Sequence, residues 1–142
     1  MSTNAEVVHR WFEEVWNRRN LEIVDELLSE DSVSHGLMDD KGNLRRGPAG
    51  FRMLFDAFTS AYPDMNVTIE KTVSEGDYVV VHVVVKGTHL GEGIGVAPTD
   101  REVKFGGFCL IRVEGGKIVE AWNQYDFMTM YQQLGVLSLT LG

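Results

Sequence analysis

Apolar residues recur at helical spacing along the first sixty positions. Val8, Trp11, Phe12, Val15 and Trp16 form one stripe, with Glu6, Arg10, Glu13, Glu14 and Arg18 between them. This pattern predicts an amphipathic helix with one buried face, and Ser2, Thr3 or Asn4 is a candidate cap. The pattern breaks over 17–20. Leu21, Val24, Leu27 and Leu28 then make a second, shorter stripe. Gly47-Pro48 precedes a third helix, because a proline in the first turn lacks only a donor that would be unpaired anyway. Its stripe is Phe51, Leu54, Phe55 and Phe58, and Pro63-Asp64 follows its end.

The period then changes from helix to strand. Tyr78 to Val85 is almost all β-branched and is the strongest strand signal in the chain. Val67 to Val73 precedes it through the turn Glu75-Gly76-Asp77. Val103 to Val113 and Lys117 to Asp126 flank the hairpin turn Gly115-Gly116. Leu90 to Arg101, rich in glycine, is the longest loop, and Phe127 to Leu134 reads as a closing helix ending at Gly135. Three helices followed by hairpin-connected strands predict an α+β fold with an antiparallel sheet and helices on one face. Strands of about ten residues twist and curl, so the predicted shape is a cone closed by the helices around an apolar pocket. Val79, Val81, Val83 and Val85 are placed on its inner face, and His82 on the outer one.

The length of 142 residues suits one domain, 1–142. Thirteen Lys and Arg against 21 Asp and Glu give a net charge of −8, which argues against nucleic acid or an anionic membrane as partner. A small hydrophobic ligand is the partner expected of an apolar pocket. Cys109 is the sole cysteine, lies in Phe108-Cys109-Leu110-Ile111 and reads as a buried hydrophobe. No His-x-His or His-Glu-x-x-His cluster occurs, so no metal is expected. Gly91-Glu92-Gly93-Ile94-Gly95 lacks the strand–helix context of a dinucleotide loop. The N-terminus has neither the basic nor the apolar region of a signal peptide, and no segment is long and apolar enough to span a bilayer. A cytoplasmic location is the expectation.

Several short stretches, taken in order, resemble the SnoaL-like polyketide cyclases of the nuclear-transport-factor-2-like superfamily over nearly the whole chain. They are Val15-Trp16-Asn17, Ser34-His35, Gly47-Pro48-Ala49-Gly50, Tyr62-Pro63-Asp64, Glu75-Gly76-Asp77 and Gly87-Thr88-His89-Leu90-Gly91. Gly95-Val96-Ala97-Pro98-Thr99, Gly116 to Trp122, Asp126 and Gln133-Leu134-Gly135 continue the series. The resemblance implies a cone-shaped roll with a mixed sheet, a homodimer formed through the outer face of the sheet, and an aldol ring closure on a polyketide ester without cofactor or metal. It further implies that an aspartate after the tryptophan of the last strand, falling on Asp126, is the general acid and base.

Asp126 is therefore the candidate catalytic residue. A carboxylate in an apolar pocket has a raised pKa and can move a proton off an activated carbon; the competing reading is a cap on the helix from Phe127. Strict alternation puts Glu120, Trp122, Gln124 and Asp126 on one face. The candidate pocket residues are His35, His89, Trp16, Phe58, Phe105, Trp122 and Gln124, the histidines as orienting groups and the rings as a platform for a flat substrate. Phe105 to Ile111 offers no polar side chain, so donors for an enolate oxygen fall to Gln124, Asn123, His35, His89 or water. A non-catalytic pocket protein, and an isomerase-like or epoxide-hydrolase-like enzyme using Arg112, are the alternatives on this fold.

Overall fold

The computed structural model describes residues 3–39 and 41–138. Thr3 caps α1 (Asn4–Arg10), its hydroxyl accepting from the Glu6 N–H. The helix runs on as a π-helical turn, Trp11–Asn17, where the Arg18 N–H reaches back five residues to the Glu13 carbonyl. This segment buries Trp11, Phe12, Val15 and Trp16 together. The second predicted helix shrinks to a 3₁₀ turn, Leu21–Ile23, and the single turn α2 (Val24–Leu27). At Leu28 the chain becomes β1 (Leu28–His35), which alternation did not predict. Its inward residues include Ser32 and Ser34, polar positions where a period-two reading looks for apolar ones.

β2 (Arg45–Arg46) pairs with β1 and leads into α3 (Gly47–Ala61) with Pro48 in its first turn. Then follow β3 (Asn66–Glu75), β4 (Tyr78–Thr88), β5 (Glu102–Glu114), β6 (Lys117–Tyr125) and α4 (Phe127–Gln133). One six-stranded sheet has the order β2-β1-β6-β5-β4-β3, antiparallel throughout except for the parallel β1–β6 pair. Gly115 and Gly116 turn the β5–β6 hairpin with φ of +58° and +76°.

Val79, Val81, Val83 and Val85 are buried against the helices, together with Val103, Phe105, Cys109 and Ile111 of β5. His82 lies on the other face, stacked on Phe108 at 4.6 Å. The segment between β4 and β5 crosses the end of α3, where the Leu90 and Gly91 N–H groups both donate to the Ala61 carbonyl. Any Cβ at Gly91 would stand 2.0 Å from the Ser60 carbonyl oxygen, so this approach requires glycine.

Candidate functional site

Two adjoining cavities lie between the inner face of the sheet and the helices. They open to solvent and span about 620 and 380 Å³ of space between protein atoms, the solvent at their mouths included. Phe12, Trp16, Leu37, Leu54 and Tyr125 line both. The smaller is walled by hydrocarbon and rings, Phe58, Phe105 and Phe127 among them. The larger has a polar wall of Ser32, Ser34, Arg45 and Asn123.

A register shift in β6 decides which side chains reach that wall. Arg112 pairs with Glu120 but Val113 pairs with Ile118, so β6 carries one extra residue, Val119. Beyond the bulge Ala121, Asn123 and Tyr125 face inward, and Glu120, Trp122 and Gln124 face out. Asn123 donates from Nδ2 to Ser34 Oγ and to the His35 carbonyl, both at 2.9 Å. A carbonyl can only accept, so this bond fixes the amide orientation and leaves Oδ1 as an acceptor. The Tyr125 ring lies over Gly107, where a Cβ would stand 2.3 Å from it. Its hydroxyl accepts from the Cys109 thiol at 3.4 Å. Burial raises the Tyr125 hydroxyl well above its usual value and pushes the Cys109 thiol up to about 11, so both stay protonated at neutral pH.

The residues singled out from the sequence divide between several places. Trp16, Phe58 and Phe105 line the cavities. Trp122 and Gln124 lie on the outer face, contrary to their expected place in the pocket, because the pocket-facing parity belongs to Ala121, Asn123 and Tyr125. His35 joins them there. Its ring stacks on Trp122 at 5.2 Å and its Nε2 meets the Glu120 carboxylate at 2.7 Å. That hydrogen bond, and a second from Arg112, hold Glu120 below its usual carboxylate range. Only the His35 carbonyl serves the cavity, through Asn123.

His89 is fully buried beneath the β4–β5 segment, outside the lining of either cavity. Its Nδ1 accepts from the Thr99 N–H at 3.2 Å, so the proton of the neutral ring sits on Nε2, which has no partner among the described residues. The nearby Tyr62 hydroxyl also lacks one, and burial pushes it up to about 12.

Asp126 follows the last strand residue and is exposed. One carboxylate oxygen accepts from the Thr129 N–H at 3.0 Å and the other from the Thr129 hydroxyl at 2.6 Å, which caps α4. Those two bonds lower its pKa, where an apolar pocket would have raised it. Arg45, absent from the sequence-based candidates, is among the described residues the one charged residue lining the larger cavity; the signal for it was its place opposite Ser34 in a strand too short to read. Among the described residues no set of three His, Cys, Asp or Glu side chains gathers to hold a metal, and no helix is long and apolar enough to cross a membrane.

A helix-closed mixed sheet around an apolar cavity with one polar wall defines a domain of the nuclear-transport-factor-2-like fold class. The family model for SnoaL-like polyketide cyclases matches residues 6–134, and the chain belongs to that family. It is 26% identical over 121 residues to the nogalonic acid methyl ester cyclase of Streptomyces nogalater, covering 84% of this chain and 89% of that one. It is 27% identical over 136 residues to the aklanonic acid methyl ester cyclase DnrD of Streptomyces peucetius, covering 95% and 92%. Among solved structures, IdmH of Streptomyces antibioticus superposes with a TM-score of 0.83 at 32% identity, covering 95% of this chain and all of that one.

Proposed function

We propose that this chain folds a hydrophobic polyketide-like carbonyl compound inside its cavity for intramolecular aldol-type ring closure, in the cytoplasm and without metal or cofactor. The observation that carries the reading is a largely apolar cavity whose polar side chains gather on one wall. Apolar walls bury the carbon skeleton, and one polar wall fixes which oxygen goes where. In the reaction a carbon flanked by two carbonyls loses a proton and attacks a third carbonyl. The resulting alkoxide takes a proton up, so mass is conserved. Asp126 is the residue that the family resemblance nominates for both transfers.

A second reading, a pocket that binds such compounds without turning them over, has its own support: among the described residues no Asp or Glu side chain lines either cavity. Incubation with nogalonic and aklanonic acid methyl esters, followed by chromatography with mass detection, separates the two. Ring closure gives a product of unchanged mass and new retention time faster than buffer does. Binding of either ester with no rate above buffer would leave the binding reading.

The outer face of the sheet supports a homodimer as the form in which this site works. Val73, Tyr78, Phe108 and Leu110 are exposed there, beside Trp122, and a contiguous apolar surface of this kind is rarely left in water.

A further inference from the structure

Asn123 of β6 is held in place from both sides. It pairs with Cys109 of β5. Across from that pair Gly36, just past β1, comes so close that a Cβ there would stand 2.0 Å from the Asn123 carbonyl oxygen. The residue is 9% exposed and lines the larger cavity beside Ser32 and Ser34.

Within that frame the side-chain amide cannot turn over. Nδ2 donates to Ser34 Oγ and to the His35 carbonyl, both at 2.9 Å. A turned amide would set Oδ1 against the His35 carbonyl oxygen, acceptor facing acceptor. Both amide hydrogens are therefore spent, and Oδ1 receives no hydrogen bond among the described residues. What Asn123 offers the cavity is one acceptor and no donor. A ligand that covers such an oxygen without donating to it strips its water and returns nothing. A site of this kind rejects the analogue that lacks the donor. Ketone, ester and ether groups carry no donor, so in a compound of carbon, hydrogen and oxygen the matching group is a hydroxyl.

We propose that Asn123 is a specificity-determining residue whose Oδ1 accepts from a hydroxyl of the ligand, so that the cavity selects a hydroxylated carbonyl compound over its O-methyl ether. This rests on the cavity being the site for hydrophobic polyketide-like carbonyl compounds. The hydroxyl then lies at the polar wall and the skeleton runs toward Trp16 and Phe58. A methyl on that oxygen removes the donor and sets a carbon against Oδ1.

Fluorescence titration with methyl 2-naphthoate and its 6-hydroxy and 6-methoxy derivatives, on the wild type and Asn123→Leu, tests this at a pH where all three are neutral. The hydroxy ester should bind the wild type about tenfold more tightly than the methoxy ester. In Asn123→Leu that preference should vanish or reverse, since the methoxy compound is the more apolar. Leucine also breaks the bonds to Ser34 and His35, so a second measurement uses the wild type alone. The carbon-13 resonance of the labelled Asn123 side-chain carbonyl should move more with the hydroxy ester than with the methoxy ester. Equal binding of the two by the wild type, a preference that survives in Asn123→Leu, or the same carbonyl shift from both would overturn the assignment of Asn123. The cavity would then stand as a binding site without this selectivity. If none of the three esters binds, the cavity reading fails, and this inference fails with it.

Discussion

Asp126 shows how a single side chain divides two accounts of the same strand end. In the cap, its two oxygens take the Thr129 N–H and hydroxyl, and an amide at this position still accepts from the N–H. If Asp126 also carries both proton transfers, Asp126→Asn keeps most of its thermal midpoint and loses about a hundredfold or more in kcat, whereas Asp126→Ala lowers both. A rate of ring closure in Asp126→Asn equal to the wild type's would contradict that role and leave Asp126 as the cap alone. The pH dependence has a definite sign. The folded-state pKa is held below the usual carboxylate value, so the cap stabilises at neutral pH and is lost as pH falls through that lowered value. Asp126→Ala should remove that part of the acid sensitivity in a melting series from pH 7 to pH 3. The sequence allowed both roles for Asp126, because a carboxylate before a helix looks the same whether or not a cavity lies behind it.

At the scale of elements, the strands with a strong period were legible and the weak ones were not. Tyr78 to Val85 announced both its strand and its buried valine face, and Gly115-Gly116 announced its hairpin. β1 escaped because its inward residues include serines that serve the polar wall. The bulge at Val119 escaped because nothing in Ile118-Val119-Glu120 marks an extra residue, and one residue of slip moves every later side chain to the opposite face. That slip puts Asn123 and Tyr125 in the cavity in place of Trp122 and Gln124. Gly107 is the complement of this register, since β5 must be bare where the Tyr125 ring crosses it. Gly107→Ala is expected to destabilise the protein by about 1–3 kcal/mol, the usual cost of overpacking, and to weaken binding of methyl 2-naphthoate. Denaturant unfolding and the same fluorescence titration read both effects. Unchanged stability and affinity would show that the ring has room to move.

The whole molecule is a sheet with two uses. Its concave side faces the two cavities, and its convex side carries Phe108 and Leu110 at 56% and 37% exposure. If two copies meet there, light scattering will give twice the chain mass, and Phe108→Glu will halve it while leaving the cavity's affinity for methyl 2-naphthoate intact. A monomer mass for the wild type would contradict the dimer. The central claim, that the ligand lies inside the cone, is tested most directly by nitrogen-15 NMR of the side-chain amides during titration with aklanonic acid methyl ester. Asn123, on the inner face, should shift, and Gln124, its outward neighbour, should not. The converse, a shift at Gln124 with Asn123 silent, would place the ligand on the outer face and contradict the account.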